Sequence, residues 1–106
     1  MRVAAVMSDL MLYSRIDAAA TASSASLVRV ESPASLPAGL DLVLVDWSER
    51  HPGWSEALRA CNASRVILFG RHTDLEAHAA AREAGLGPMW ARSKLVSDLP
   101  GLFAST

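Results

Sequence analysis

Asp41 to Asp46 reads DLVLVD, four consecutive aliphatic residues enclosed by two acids. No polar side chain interrupts Leu42 to Val45, so an extended segment here has no face suited to water. Such a run fits the centre of a parallel sheet covered by helices on both sides, and it fits a half-solvated antiparallel strand poorly. A turn containing Gly39 precedes it and WSERHPG follows, which limits it to strand length. A strand buried on both faces needs neighbours on both edges. It also puts Asp46 at the carboxyl end of the sheet, where open α/β folds place ligands and chemistry.

The rest of the chain supplies those neighbours. Val3 to Met7 predicts a first strand, followed by a helix with Ser8 as N-cap and Asp9 in the first turn. Leu12, Ile16 and Ala19 or Ala20 recur at helical spacing and point inward, leaving Arg15 and Asp17 in water. Leu27 to Val30 predicts a second strand, which Arg29 marks as an edge or as an end near solvent. Ser32 to Gly39 holds two prolines and a glycine, so only a turn or loop stands where a full second helix could have been.

Beyond the central strand, Pro52 and Gly53 introduce a short helix from Trp54 to Cys61, with Trp54, Leu58 and Cys61 on one face. Arg65 to Gly70, RVILFG, predicts a fourth strand. Thr73 and Glu76 have capping-box spacing and open a helix through Ala84, closed by Gly85. Pro88 to Ala91 predicts a short edge strand. A final short helix starts at Ser93 or Lys94 and is interrupted near Pro100 and Gly101. With right-handed crossovers this order predicts one domain over residues 1–106. Its architecture is a three-layer α/β fold, a doubly wound parallel sheet of five strands ordered 2-1-3-4-5 with a reduced second helix.

Composition narrows the function classes. The chain of 106 residues is 51% apolar, enough for a single core. Its ten Lys and Arg against eleven Asp and Glu give a formal charge of -1, which argues against a nucleic-acid surface. Lys94 is the single lysine. Cys61 is the single cysteine, so no internal disulfide can form; a buried structural thiol in a reduced, cytoplasmic protein is the expectation. The run VAAVM after Arg2 is stopped by Ser8 and Asp9, too early for a signal peptide, and no apolar run approaches a membrane span. His51, His72 and His78 lack zinc-ligand spacing, and neither a glycine-rich phosphate loop nor a G-x-S-x-G elbow occurs. No catalytic residue, metal or cofactor is therefore expected.

With Asp46 ending strand three and Gly85 closing the helix before strand five, the chain resembles a response-regulator receiver domain of the flavodoxin-like fold, over nearly its whole length. The resemblance puts Asp46 at the phosphoacceptor position. The other receiver positions are replaced. Met7 and Ser8 stand where receivers carry a Mg²⁺-binding acidic pair, with Asp9 one step further on. Gly70 replaces the Thr or Ser after strand four, Met89 the switch aromatic and Arg92 the lysine. Ser93 stands for the usual proline, and Lys94 is displaced by two residues.

Phosphoryl transfer depends on positioning and charge neutralisation, which these replacements remove. The resemblance thus implies a pseudo-receiver: a non-catalytic signalling or regulatory domain that contacts a protein partner or a second copy of itself. For Asp46 the residues leave three roles open. It caps the following turn near Ser48, it pairs with Arg92 across the strand ends, or it is an atypical phosphoacceptor served by Asp9 and by Arg92 or Lys94. The Arg92 pair is the favoured expectation. A different class of function is a small-ligand or nucleotide module in a crevice lined by Ser8, Asp46 and Gly70. Trp54 is expected in the core. Trp90, with Met89, is the candidate interface, on the face through which receivers commonly dimerise.

Overall fold

A computed structural model describes residues 1–104. Five parallel strands form one sheet in the order β2-β1-β3-β4-β5: β1 Arg2–Val6, β2 Ser26–Val30, β3 Leu42–Asp46, β4 Arg65–Gly70 and β5 Trp90–Ala91. Four α-helices accompany them: α1 Leu10–Ala22, α2 Trp54–Ala60, α3 Leu75–Glu83 and α4 Arg92–Ala104. A single 3₁₀ turn, Pro33–Ser35, stands between β2 and β3, where the two prolines prevent a longer helix. The architecture is thus the flavodoxin-like α/β fold, with the reduced second helix that the sequence predicts.

All five residues of β3 are buried. Leu42 and Leu44 join a core with Leu12, Ile16 and Ala20 of α1 and Leu95, Leu99, Leu102 and Phe103 of α4. Val43 and Val45 point the other way, into a core shared with Trp54 and Leu58 of α2 and Ala77 and Ala81 of α3. Alternation along one strand therefore serves two cores, which is why the run needs apolar residues at both parities. The outer strand β2 is less covered on both faces, with Val28 exposed on one and Arg29 on the other.

Several local features differ from expectation. Asp9, not Ser8, caps α1: its Oδ1 accepts from the backbone N–H groups of Met11 at 3.0 Å and Leu12 at 3.1 Å. A carboxylate accepts two such bonds more strongly than a hydroxyl does, and the Ser8 hydroxyl is engaged elsewhere. Likewise Asp74 rather than Thr73 caps α3, accepting from the N–H of Ala77 at 3.0 Å. Aspartate is the better N-cap of the two. β5 has only Trp90 and Ala91, because they alone pair with the last two residues of β4, Phe69 and Gly70.

The largest difference lies in α4. The helix begins at Arg92 and runs thirteen residues through Pro100 and Gly101 without interruption. A proline inside a helix removes one hydrogen bond and costs about 3 kcal/mol. Burial of Leu99 before it and of Leu102 and Phe103 after it offsets that loss, at ~1.5–3 kcal/mol for each large apolar side chain. No helix among the described residues is long and apolar enough to cross a membrane.

Candidate functional site

The candidate site is the carboxyl edge of the sheet, where the ends of β1, β3 and β4 meet the start of α4. Asp46 ends β3 with only 4% of its surface exposed, the sole buried charged or polar residue of the described chain. Its Oδ1 accepts from the backbone N–H of Ser48 at 3.2 Å, capping a 3₁₀ turn over Trp47–Glu49. That turn brings Glu49 back beside Asp46, because residues three apart eclipse in a 3₁₀ helix.

Glu49 is held from the other side by β1. Its two carboxylate oxygens accept from Ser8, one from the backbone N–H at 3.2 Å and one from the side-chain hydroxyl. The two acids therefore titrate in opposite directions. Burial, then the negative charge of Glu49, push the Asp46 carboxyl up to about 6. The Ser8 hydroxyl holds Glu49 below the usual carboxylate range. Where the pair shares a proton, Asp46 carries it, since Glu49 has Ser8 donors and Asp46 has only the Ser48 amide.

Arg92 does not pair with Asp46, contrary to expectation. Its Nη2 donates to Asp9 Oδ2 at 2.5 Å. Asp9 sits in the loop leading to α1 and its carboxylate is partly exposed, so it meets the guanidinium at lower desolvation cost than the buried Asp46. The Leu12 backbone N–H and the Arg92 guanidinium together lower the pKa of Asp9. Arg92 still acts on Asp46 through its charge, favouring the ionised form, but as the weakest of the influences there.

Met7 is fully buried in the core with α1 and α4. Gly70 is also buried, and a Cβ added there would fall 2.6 Å from Ser48 Oγ and 3.0 Å from Met89 Sδ. The space a larger side chain would need at this position is already filled. Met89 is 5% exposed and packs in the core with α2 and α3, which removes it from the candidate interface. Methionine fills this gap because its unbranched chain adapts to the glycine opposite. Trp90 is half-buried on the outer strand, with the Lys94 ammonium 4.3 Å and the Arg65 guanidinium 5.8 Å from its ring centre. Lys94 also pairs with Asp98 at 2.9 Å, so it faces away from Asp46.

Gly70→Thr, which introduces a branched side chain with a hydroxyl, is expected to lower stability by about 1–3 kcal/mol through overpacking. Ser48 must turn away from the Arg71 N–H it accepts from at 3.4 Å, and Met89 must move. Urea denaturation measures the loss. Adding Ser48→Ala is expected to recover part of it, and no recovery would place the strain elsewhere.

Glu49 is the site residue that sequence reasoning overlooks. The pattern Asp46-Trp-Ser-Glu49 has the spacing of a capping box and could have flagged it. The contact of Glu49 with Ser8 could not, because the two are 41 positions apart. Among the described residues, no three His, Cys, Asp or Glu side chains form a metal-ligating group. His78 Nε2 instead contacts the His72 carbonyl at 3.1 Å, and the Cys61 thiol, half-buried, donates to the Leu58 carbonyl at 3.0 Å. Chemically, the Asp46–Glu49 pair can hold and release a proton, but it does not present a free carboxylate to an incoming electrophile. No protein-family model and no curated protein sequence matches this chain.

Proposed function

We propose that this chain is a receiver-like regulatory domain that works through protein–protein contacts and does not accept a phosphoryl group on Asp46. The burial of the Asp46 carboxyl against Glu49 carries this reading. In-line attack on a phosphoryl donor needs an accessible carboxylate oxygen with cations placed to absorb the charge on the transferring group. Asp46 has a second carboxylate as neighbour, Arg92 is engaged by Asp9, and the Gly70 position is closed by Ser48 and Met89. A phosphoryl group on Asp46 would stand beside the negative charge of Glu49. What remains is a rigid α/β scaffold that offers surfaces to a partner.

The test is incubation with Mg²⁺ and acetyl phosphate, or with beryllofluoride, followed by intact-mass and peptide analysis. The expected result is an unmodified chain. Stoichiometric, Mg²⁺-dependent modification at Asp46 would overturn the reading and establish a working phosphoacceptor.

A further inference from the structure

Helices α2 and α3 cover one face of the sheet, and a groove of about 590 Å³ lies between them. Arg50 and His51 line it from the segment before α2, and Arg59 from the last turn of that helix. On the α3 side, Ala80 and Ala84 keep the groove open, and Glu83 is the acid on its wall.

The Arg50 guanidinium is held in position. Its Nη1 donates to the Trp47 carbonyl at 3.2 Å, and its central carbon lies 5.7 Å from the centre of the Trp47 ring. Trp47 is itself fixed, with the indole Nε1–H donating to the Ala77 carbonyl at 3.0 Å. The three ion pairs among the described residues lie elsewhere and involve neither Arg50 nor Arg59. Two guanidinium groups outside those ion pairs thus face a single acid, Glu83, in one groove of a chain whose net charge is -1, a local excess of one positive charge against the overall sign. A pre-ordered guanidinium loses less side-chain freedom on binding a carboxylate than a free one does.

We propose that the α2–α3 groove docks an acidic segment of a partner protein, whose carboxylates pair with Arg50 and Arg59. Charge complementarity selects this occupant. A basic segment would meet two like charges, and an apolar one would leave both guanidinium groups unpaired while partly desolvating them. Glu83 on the opposite wall favours a segment that carries a base beside its acids. The inference rests on the reading of the chain as a protein-contact domain and gives that contact a chemistry.

The experiment titrates the ¹⁵N-labelled chain of 106 residues with a fluorescein-labelled peptide carrying paired glutamates and one lysine, and with its glutamine counterpart. Amide shifts are expected in Trp47–Arg59 and Ala80–Ala84, weakening as salt is raised. The glutamine peptide is expected to bind about tenfold more weakly or worse. Arg59 is exposed, so Arg59→Gln leaves the Trp47 packing intact and tests the groove without risk to the fold; a loss of about threefold or more is expected. Absence of shifts in these segments, equal binding of the glutamine peptide, or unchanged binding by Arg59→Gln would each overturn the proposal. Phosphorylation at Asp46 would overturn the pseudo-receiver reading and leave this titration unaffected, so the two failures are distinguishable.

Discussion

Asp46→Asn is expected to stabilise the protein by about 2 kcal/mol at pH 7.5 and to have almost no effect near pH 4. A carboxyl lifted from 3.8 to about 6 is protonated in the folded state across a range where the unfolded chain has already ionised. Within that range the folded state binds more protons, so stability falls as pH rises. The contribution is fully present below about pH 4 and lost by about pH 6, and the full span corresponds to about 3 kcal/mol.

Asparagine keeps an oxygen for the Ser48 amide and can turn its own N–H₂ toward Glu49, replacing repulsion with a hydrogen bond. Part of the 3 kcal/mol is offset because the Asn amide must also be desolvated. Glu49 acts in the opposite direction. Its lowered pKa contributes stability at neutral pH that is lost as pH falls from its ordinary value of 4.5 toward the lowered one. The two carboxyls interact, so the difference between wild type and variant reports the titration of the Asp46–Glu49 pair, with Asp46 as the group that changes charge between about pH 4 and pH 6. Thermal melts at a series of pH values read it directly. A variant no more stable than wild type at pH 7.5, or a gap that does not open between about pH 4 and pH 6, would show that Asp46 is not a strained buried acid.

The second large effect concerns the end of α4. Phe103→Ala is expected to cost about 3–5 kcal/mol, the range for deleting a buried aromatic ring. Total stabilities of small domains are about 5–15 kcal/mol, so this one change near the C-terminus removes a large share. The reason is that Phe103 is 2% exposed and packs in the same core as Met7, Leu44 and Phe69. Were the helix interrupted at Pro100, as local propensity suggests, Phe103 would be expendable and the loss would fall below about 1 kcal/mol. Pro100→Ala is expected to move stability upward, because it supplies the missing helix donor at an exposed position. Urea midpoints for the two variants separate the cases.

Both effects arise where local and tertiary preferences disagree. Aliphatic runs at Val3, Leu42 and Arg65 are intrinsic strand signals, and their spacing leaves room for crossover helices, so strands, order and the shortened second helix were legible residue by residue. Helix ends were less so. Ser8 and Thr73 are sound N-caps by local rule, and the adjacent Asp9 and Asp74 displaced them by accepting more strongly. Pro100 ends helices in isolation, and a buried apolar face carried the helix through it.

The polar site depended on contacts that no local pattern encodes. Asp46 was found from its place at the end of DLVLVD, and its turn-capping role followed from its residue type. Its partner did not. Arg92 and Asp9 are 83 positions apart, Ser8 and Glu49 are 41 apart, and all four converge only because β1 and β3 end, and α4 begins, at one edge. Apolar burial is non-directional and tolerant, so a periodic pattern is enough to specify the two-sided sheet. Hydrogen bonds and ion pairs depend steeply on distance and angle, so which carboxylate meets Arg92, and which is left buried beside another acid, was decided by the tertiary structure alone.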